Sequence, residues 1–446
     1  MKKLKTEDEF NNFANKALKS SNLEERLNNL IAIYNGGPGS GNFGHLGRPG
    51  LVGGSAPKNL GPSGLLEAVC GVPGDATSAD IKTIPKLKGL NKKQKQIENE
   101  ANSEWDNEKT REKIISNLVD RAERSLEEKG QVLIETDAIK EDLCEGWGSG
   151  KEFGELSKKY ENFQKKTDLE LKLNKLQNEP KSKQNQAEIK ETIQKLSKLE
   201  NAKPLTAKEQ ARFDELRAFR AENNSLLHQA ANAFAKATFE RVAQKHQGVE
   251  MAMTSGGCAS GKGFGLENSN LFTGTYKGKS LSDVCKNAKI VWDAAGEQCS
   301  AEANWFIGQA KKNKASNITI VHTETNSTAA AKNAAFRVDT KGRLVSFEAF
   351  YNSYVNSRKN IQKVVQQYKN DDSVNIITVR NMGKGAKDKN GVPYPLEIIG
   401  SGGDLPPIAS KSSMKKEYAK ALENAKLPGD VLKAAQIGME FTFQYE

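Results

Sequence analysis

Between Val249 and Val379 four short apolar runs alternate with longer stretches of helical periodicity, and a chain with that rhythm is expected to bury its strands in a parallel sheet flanked by helices. The runs are Val249–Thr254, Ile290–Trp292, Ile318–Val321 and Val374–Val379. Between them Glu297–Lys312, Thr325–Phe336 and Phe347–Tyr368 read as helices. Upstream, residues 92–245 are rich in Lys, Glu, Gln, Asn and Leu and carry no such alternation. Leu169, Leu171, Leu173 and Leu176, a break at Pro180, then Ile189, Ile193, Leu196 and Leu199 predict helical hairpins or a short antiparallel coiled coil. After Lys203-Pro204, the stretch Leu205-Thr-Ala-Lys-Glu reads as a capped helix start. A helix from Glu209 to Gln247 is expected to bury a stripe of Phe213, Leu216, Phe219, Leu226, Leu227, Ala230, Phe234 and Phe239.

Composition narrows the function classes. The chain has 446 residues, 36% of them hydrophobic, which suits about three units with much solvated helix or linker better than one large core. No apolar run is long enough to span a membrane, and Met1–Phe10 is charged without an apolar segment behind it, so a soluble protein made in the cytoplasm is expected. Cys70, Cys144, Cys258, Cys285 and Cys299 are odd in number and form no C-x-x-C pair, while His45, His228, His246 and His322 are dispersed. A disulfide framework and a zinc site are therefore both disfavoured. The absence of G-x-S-x-G argues against a serine hydrolase. Against 56 Asp+Glu stand 67 Lys+Arg, a net charge of +11 that fits either solvated basic helices or non-specific DNA contact.

The sharpest chemical signal follows the first strand. In Met253-Thr-Ser-Gly-Gly-Cys-Ala-Ser-Gly-Lys-Gly-Phe264 the residues Gly256, Gly261 and Lys262 have the G-x4-G-K spacing of a phosphate-binding loop. Glycines let successive backbone N–H groups turn toward one anion, and a lysine adds a point charge for the outer phosphates. The nucleotide-contacting set is Gly256, Gly257, Ser260, Gly261, Lys262 and Gly263. Gly263 departs from the usual pattern, because most such loops place a magnesium-ligating Ser or Thr there. The magnesium ligand is thus left unassigned. Asp293 ends the second strand, where ligands of parallel sheets bind, and suits either magnesium binding or proton acceptance; its bland reading is a helix N-cap. Lys332, Arg337, Arg343 and Arg358 can supply positive charge around a migrating phosphoryl group, with Arg337 and Arg343 flanking a glycine turn that reads as a lid.

Ser255–Lys262, Asp293, the strand Ile318–His322 with Thr323–Thr325, the Arg337…Gly342-Arg343 segment and Val374–Asn381 together resemble the zeta-toxin-like P-loop kinases, including versions common in tailed phages. The resemblance covers about residues 249–410. It implies ATP with Mg2+, transfer of the γ-phosphate to a hydroxyl, amino-sugar nucleotides as one acceptor class, Lys262 as phosphate clamp, Asp293 as base, and Arg337 and Arg343 as transition-state clamps. A second tract, Gly36-Gly-Pro-Gly-Ser-Gly-Asn-Phe-Gly-His-Leu-Gly-Arg-Pro-Gly-Leu-Val-Gly-Gly-Ser55, is similar to glycine-rich segments of tailed-phage head-associated and minor capsid proteins. It implies a phage virion component with capsid or portal proteins as partners. A purely structural particle protein with a degenerate loop is the alternative.

The expected organisation is multi-domain. An amphipathic N-terminal arm (1–34) and a Gly/Pro-rich linker (35–91) precede an α-helical middle region of hairpins or short coiled coil (92–246). An α/β P-loop kinase-like parallel sheet (247–410) and a C-terminal appendage (411–446) follow.

Overall fold

The structure is a computed structural model, and it describes residues 76–143, 150–179, 182–262, 275–276, 279–280, 287–293, 299–381, 396–400 and 408–440. The N-terminal arm, the glycine-rich tract, Gly263 and the β-like stretch from residue 441 lie outside the described residues. The described residues belong to one compact unit. Their elements run α1 (Lys92–Asp106), α2 (Glu108–Lys129), β1 (Val132–Glu135), α3 (Thr136–Ile139), α4 (Gly150–Gln177), α5 (Lys183–Ser197), α6 (Ala207–Asn223) and α7 (His228–Lys245). The second half adds β2 (Glu250–Gly256), β3 (Thr275–Tyr276), β4 (Lys279–Ser280), β5 (Ile290–Asp293), α8 (Cys299–Lys312), β6 (Asn317–Glu324), α9 (Ser327–Lys341) and α10 (Phe347–Tyr368). It ends with β7 (Val374–Asn381), β8 (Leu396–Gly400), α11 (Lys411–Asn424) and α12 (Gly429–Met439).

A helical region followed by an α/β parallel sheet is what forms. The sheet order is β1-β5-β2-β6-β7-β8; the first five strands are parallel and β8 runs antiparallel at one edge. The four apolar runs become β2, β5, β6 and β7. Period-two alternation then aligns two apolar rows on one face of the sheet. In register these are Val132, Ile290, Met251, Ile318 and Val374, then Ile134, Trp292, Met253, Ile320 and Ile376. All ten are buried in one cluster with residues of α7 and α8 and the C-terminal half of α10. Trp292 anchors it, with ring centroids 5.7 Å from Phe239 and 5.0 Å from Trp305. Helix α7 is buried on nearly all sides, and its alanines let it approach the sheet closely.

Two features differ from the reading of the sequence. Val132–Glu135, inside the stretch read as helical, is a strand that pairs with β5 and forms one edge of the sheet. Glu209–Gln247 is two helices rather than one, broken at residues 224–227. The physical reason is visible at Asn224, whose amide nitrogen donates to Leu344 O (2.8 Å) while its oxygen accepts from the buried Lys140 Nζ (3.2 Å). Asn and Ser compete with helical backbone bonding, so Asn223-Asn224-Ser225 breaks where tertiary partners reward the break. The predicted start at Leu205-Thr206 does form. Glu209 N–H donates to Thr206 Oγ1 (3.3 Å) and Thr206 N–H to Glu209 Oε2 (2.8 Å), a reciprocal cap.

A second core lies around α9, α10, α11 and α12, built on Leu344, Phe347, Phe350, Tyr354, Met414 and Tyr418. Among the described residues no helix is long and apolar enough to cross a membrane. Because Trp292 is fully buried and shares its volume with two other aromatic rings, Trp292→Ala is expected to cost about 3–5 kcal/mol. Urea denaturation of the two proteins side by side measures this.

Candidate functional site

All five parallel strands end their chain direction on the same edge, and the chemistry collects there. Strand β2 lies between β5 and β6, so the chain leaving β2 returns on one side and the chain leaving β6 departs on the other. In parallel α/β sheets, the strand ends at such a divergence are the usual ligand position.

The loop from Gly256 to Lys262 is built for close approach. Gly256 has φ of 140°, and a Cβ there would stand 2.3 Å from Thr323 O on the neighbouring strand. At Gly257 a Cβ would lie 2.6 Å from the Tyr354 ring. Ala259 (φ 57°) and Gly261 (φ 90°) alternate with their neighbours in the manner of backbone concavities that hold anions. Other elements clamp the loop from outside. Asn381 Nδ2 donates to Ser260 O (2.9 Å), Asn333 Nδ2 donates to Ala259 O (3.1 Å), and Cys258 N–H donates to Ser353 Oγ (2.8 Å). Ser260 N–H donates to Gly257 O at 3.1 Å, so two loop amides already have acceptors. Ser260 Oγ is buried beneath the loop and has no hydrogen-bond partner.

Lys262 extends from the end of this turn with its Nζ 3.8 Å from Asp293 Oδ1. Asp293 also accepts a hydrogen bond from Thr254 Oγ1, its in-register neighbour on β2. On its other side Asp293 is level with Glu135 of β1. Burial pushes the Glu135 carboxyl up, and the adjacent Asp293 and Asp137 push the same way, against Arg343 and Arg337. Asp137, just beyond, is opposite in behaviour. Burial would raise it, yet Lys140, Arg343 and Arg337 outweigh that and hold it well below the usual carboxylate range.

Arg337 and Arg343 converge on this acid rather than on Asp293. Arg337 Nη2 donates to Asp137 Oδ2 (2.8 Å); Arg343 Nη2 donates to Asp137 O (3.0 Å) and Glu141 Oε1 (3.3 Å). The intervening Gly342 is no lid hinge. It is the left-handed C-cap of α9, packed 3.1 Å (by a Cβ placed there) from Arg217 Cα and Arg220 Cβ of α6. Buried Arg217 and Arg220 bind the last carbonyls of α9, Asp339 O at 2.6 Å and Lys341 O at 3.3 Å, and are themselves paired with Asp214, Asp339 and Glu141. Arg337 and Arg343 thus pair with Asp137 and Glu141 and not with Asp293. Of the other basic residues, Lys332 is exposed, and Arg358 pairs at 2.8 Å with Glu324.

Several residues at this edge carry no sequence motif. Glu135, Asp137 and Glu141 come from the segment read as helical; the signal that could have found the first is Val132-Leu-Ile134, a short apolar run with two β-branched residues followed by acids. Ser255, His322 and Thr378 form a third, polar row above the two apolar ones. Ser255 Oγ lies 3.2 Å from His322 Nδ1, and His322 Nε2 lies 2.8 Å from Glu324 Oε1. The serine and histidine are fully buried, so this chain is an internal support and not an accessible nucleophile. Glu302, in the first turn of α8, is buried with Oε2 unpartnered; burial pushes its carboxyl up to about 7, against Lys236 and Lys262, with Asp293 adding to the rise. Among the described residues no group of three or more His, Cys, Asp or Glu side chains is placed to hold a metal ion.

No family model matches this chain, and no curated protein matches it.

The Glu302 carboxyl has a direct consequence for stability. The folded protein keeps a proton that the unfolded chain releases above its ordinary value of 4.5. The folded state is therefore favoured by this group below about pH 4.5, and that contribution is lost as pH rises through about 7. Glu302→Gln is expected to raise stability at pH 8 by about 3 kcal/mol while changing little at pH 4.5. Denaturation curves of both proteins at the two pH values test it.

Proposed function

We propose that the edge at the ends of β2, β5 and β6 binds ATP and that the protein transfers its γ-phosphate to a hydroxyl acceptor, as the zeta-toxin-like resemblance implies. The observation that carries the reading is the pairing of a glycine-constrained turn with Lys262, whose ammonium stands beside a strand-end acid. Gly256 and Gly257 let the loop pack tightly against Thr323 O and the Tyr354 ring, and Lys262 at its end would meet the β and γ oxygens of a bound nucleotide. Bound ATP with Mg2+ supplies the transferable phosphoryl group and neutralises charge on it. Asp293, turned toward the same ammonium, would orient the lysine and accept the acceptor hydroxyl's proton. Arg337 and Arg343 add positive charge along the same edge, where they pair with Asp137 and Glu141.

One observation favours the alternative, a structural phage-particle protein with a degenerate loop. Cys258 N–H is spent on Ser353 Oγ, which removes a donor that a phosphate would use. The resemblance of residues 36–55 to segments of phage head proteins points to virion location and to capsid or portal partners under either reading, and the basic surplus leaves non-specific DNA contact open. Titration calorimetry with ATP and Mg2+ separates the two. The kinase reading expects micromolar-range binding that Lys262→Ala weakens at least tenfold, equivalent to about 1.4 kcal/mol or more. Equal binding by both proteins, or none by either, leaves the structural alternative.

A further inference from the structure

We infer that the peptide joining Gly257 to Cys258 is a two-position switch in the glycine turn, and that the Ser353 hydroxyl of α10 is the latch that a phosphate must displace. The inference rests on the nucleotide reading above and deepens it, by naming the positioning residue that sets how tightly the loop binds.

One peptide unit carries two of the loop's bonds. Its N–H, that of Cys258, donates to Ser353 Oγ at 2.8 Å, and its carbonyl, Gly257 O, accepts from Ser260 N–H at 3.1 Å. The N–H and C=O of a planar trans peptide point in opposite directions and turn together. Rotation of this single plane therefore breaks both bonds and releases the amides of Cys258 and Ser260 at once. Glycine at 257 permits the rotation, since it lacks the Cβ that restricts backbone torsions. The flanking residues are held from outside. Asn333 Nδ2 donates to Ala259 O (3.1 Å), Asn381 Nδ2 donates to Ser260 O (2.9 Å), and Gly256 packs against Thr323 O. The movement is thus confined to one unit.

The latch itself does not follow the loop. Ser353 is 1% exposed, and its own proton goes to Phe350 O at 2.8 Å. The hydroxyl therefore offers the loop an acceptor only, which favours the peptide with its N–H turned toward α10. The Phe350 ring centroid lies 5.2 Å from that of Tyr354 and 4.9 Å from that of Tyr418, so this part of α10 is embedded in the second core. Tyr354 is also the ring on which Gly257 rests. An ionised phosphate oxygen is a stronger acceptor than a neutral hydroxyl, so it can take the Cys258 N–H from Ser353. What the latch costs the ligand is one neutral hydrogen bond, which lowers affinity by about fivefold. The Cys258–Ser353 bond then weakens the site without abolishing it.

Titration calorimetry with ATP and Mg2+ compares the full chain with Ser353→Ala, which removes the acceptor and little else. The variant is expected to bind about fivefold tighter, the equivalent of about 1 kcal/mol. A residue that merely supported the loop would weaken binding when removed. A second measurement reads the amide itself. In protein labelled with 15N at its five cysteines, the Cys258 signal is identified by its loss in Cys258→Ser. ATP is expected to move that signal as the acceptor changes from hydroxyl to phosphate. Equal or weaker binding by Ser353→Ala, or a Cys258 signal that stays in place with ATP bound, overturns the switch; the nucleotide reading stands if Lys262→Ala still weakens binding. ATP binding by neither the parent chain nor Ser353→Ala overturns both.

Discussion

In a parallel sheet every strand points its carboxyl end at the same edge, and register decides which side chains stand level there. That constraint organises this molecule. Two apolar rows five strands wide fix the register from below, because a slip of one residue would turn Met251, Met253, Ile290 and Trp292 to the opposite face. With those rows set, Thr254, Asp293 and Glu135 have no choice but to line up. Ser255, His322 and Thr378 follow as a polar tier on the core side. The edge changes from apolar to ionisable within one turn of the pleat, and the loop carrying Lys262 emerges at that boundary.

Ion pairs do different work on the two sides of the edge. Around α6 and α9 the arginines Arg217 and Arg220 are buried, and each meets carboxylates and helix-terminal carbonyls. Beside this network Arg337 and Arg343 pair with Asp137. Around α8 the arrangement is the reverse. Glu302 is buried with Oε2 unpartnered, and burial raises its carboxyl to about 7.

Much of the parallel sheet was legible because buried strands write themselves as short β-branched and apolar runs, and β2, β5, β6 and β7 each did so. The glycine turn after β2 was legible for a related reason: Gly256 and Gly261 take positive φ, and Gly257 packs against the Tyr354 ring, local steric demands that glycine meets. Asp293 could be read from its place at the end of a strand. The edge strand β1 was missed because four residues embedded in helical composition carry too little periodicity to compete. The break at Asn224 was missed because its reward, bonds to Leu344 O and Lys140, lies 120 and 84 residues away. Arg337 and Arg343 were found as charges, but their assignment to Asp137 and Glu141 depends on β1 and α3 lying next to α9.

By itself the sequence determined the four central strands, most of the helices and the place of the glycine-constrained turn with its lysine, since those follow from local sterics and periodic hydrophobicity. Only the tertiary structure decided which charges meet. Glu135 beside Asp293, Arg337 on Asp137 and His322 against Ser255 are pairings across 158, 200 and 67 residues of chain. Electrostatics acts through space with strength set by burial, and neither separation nor burial is written in residue order.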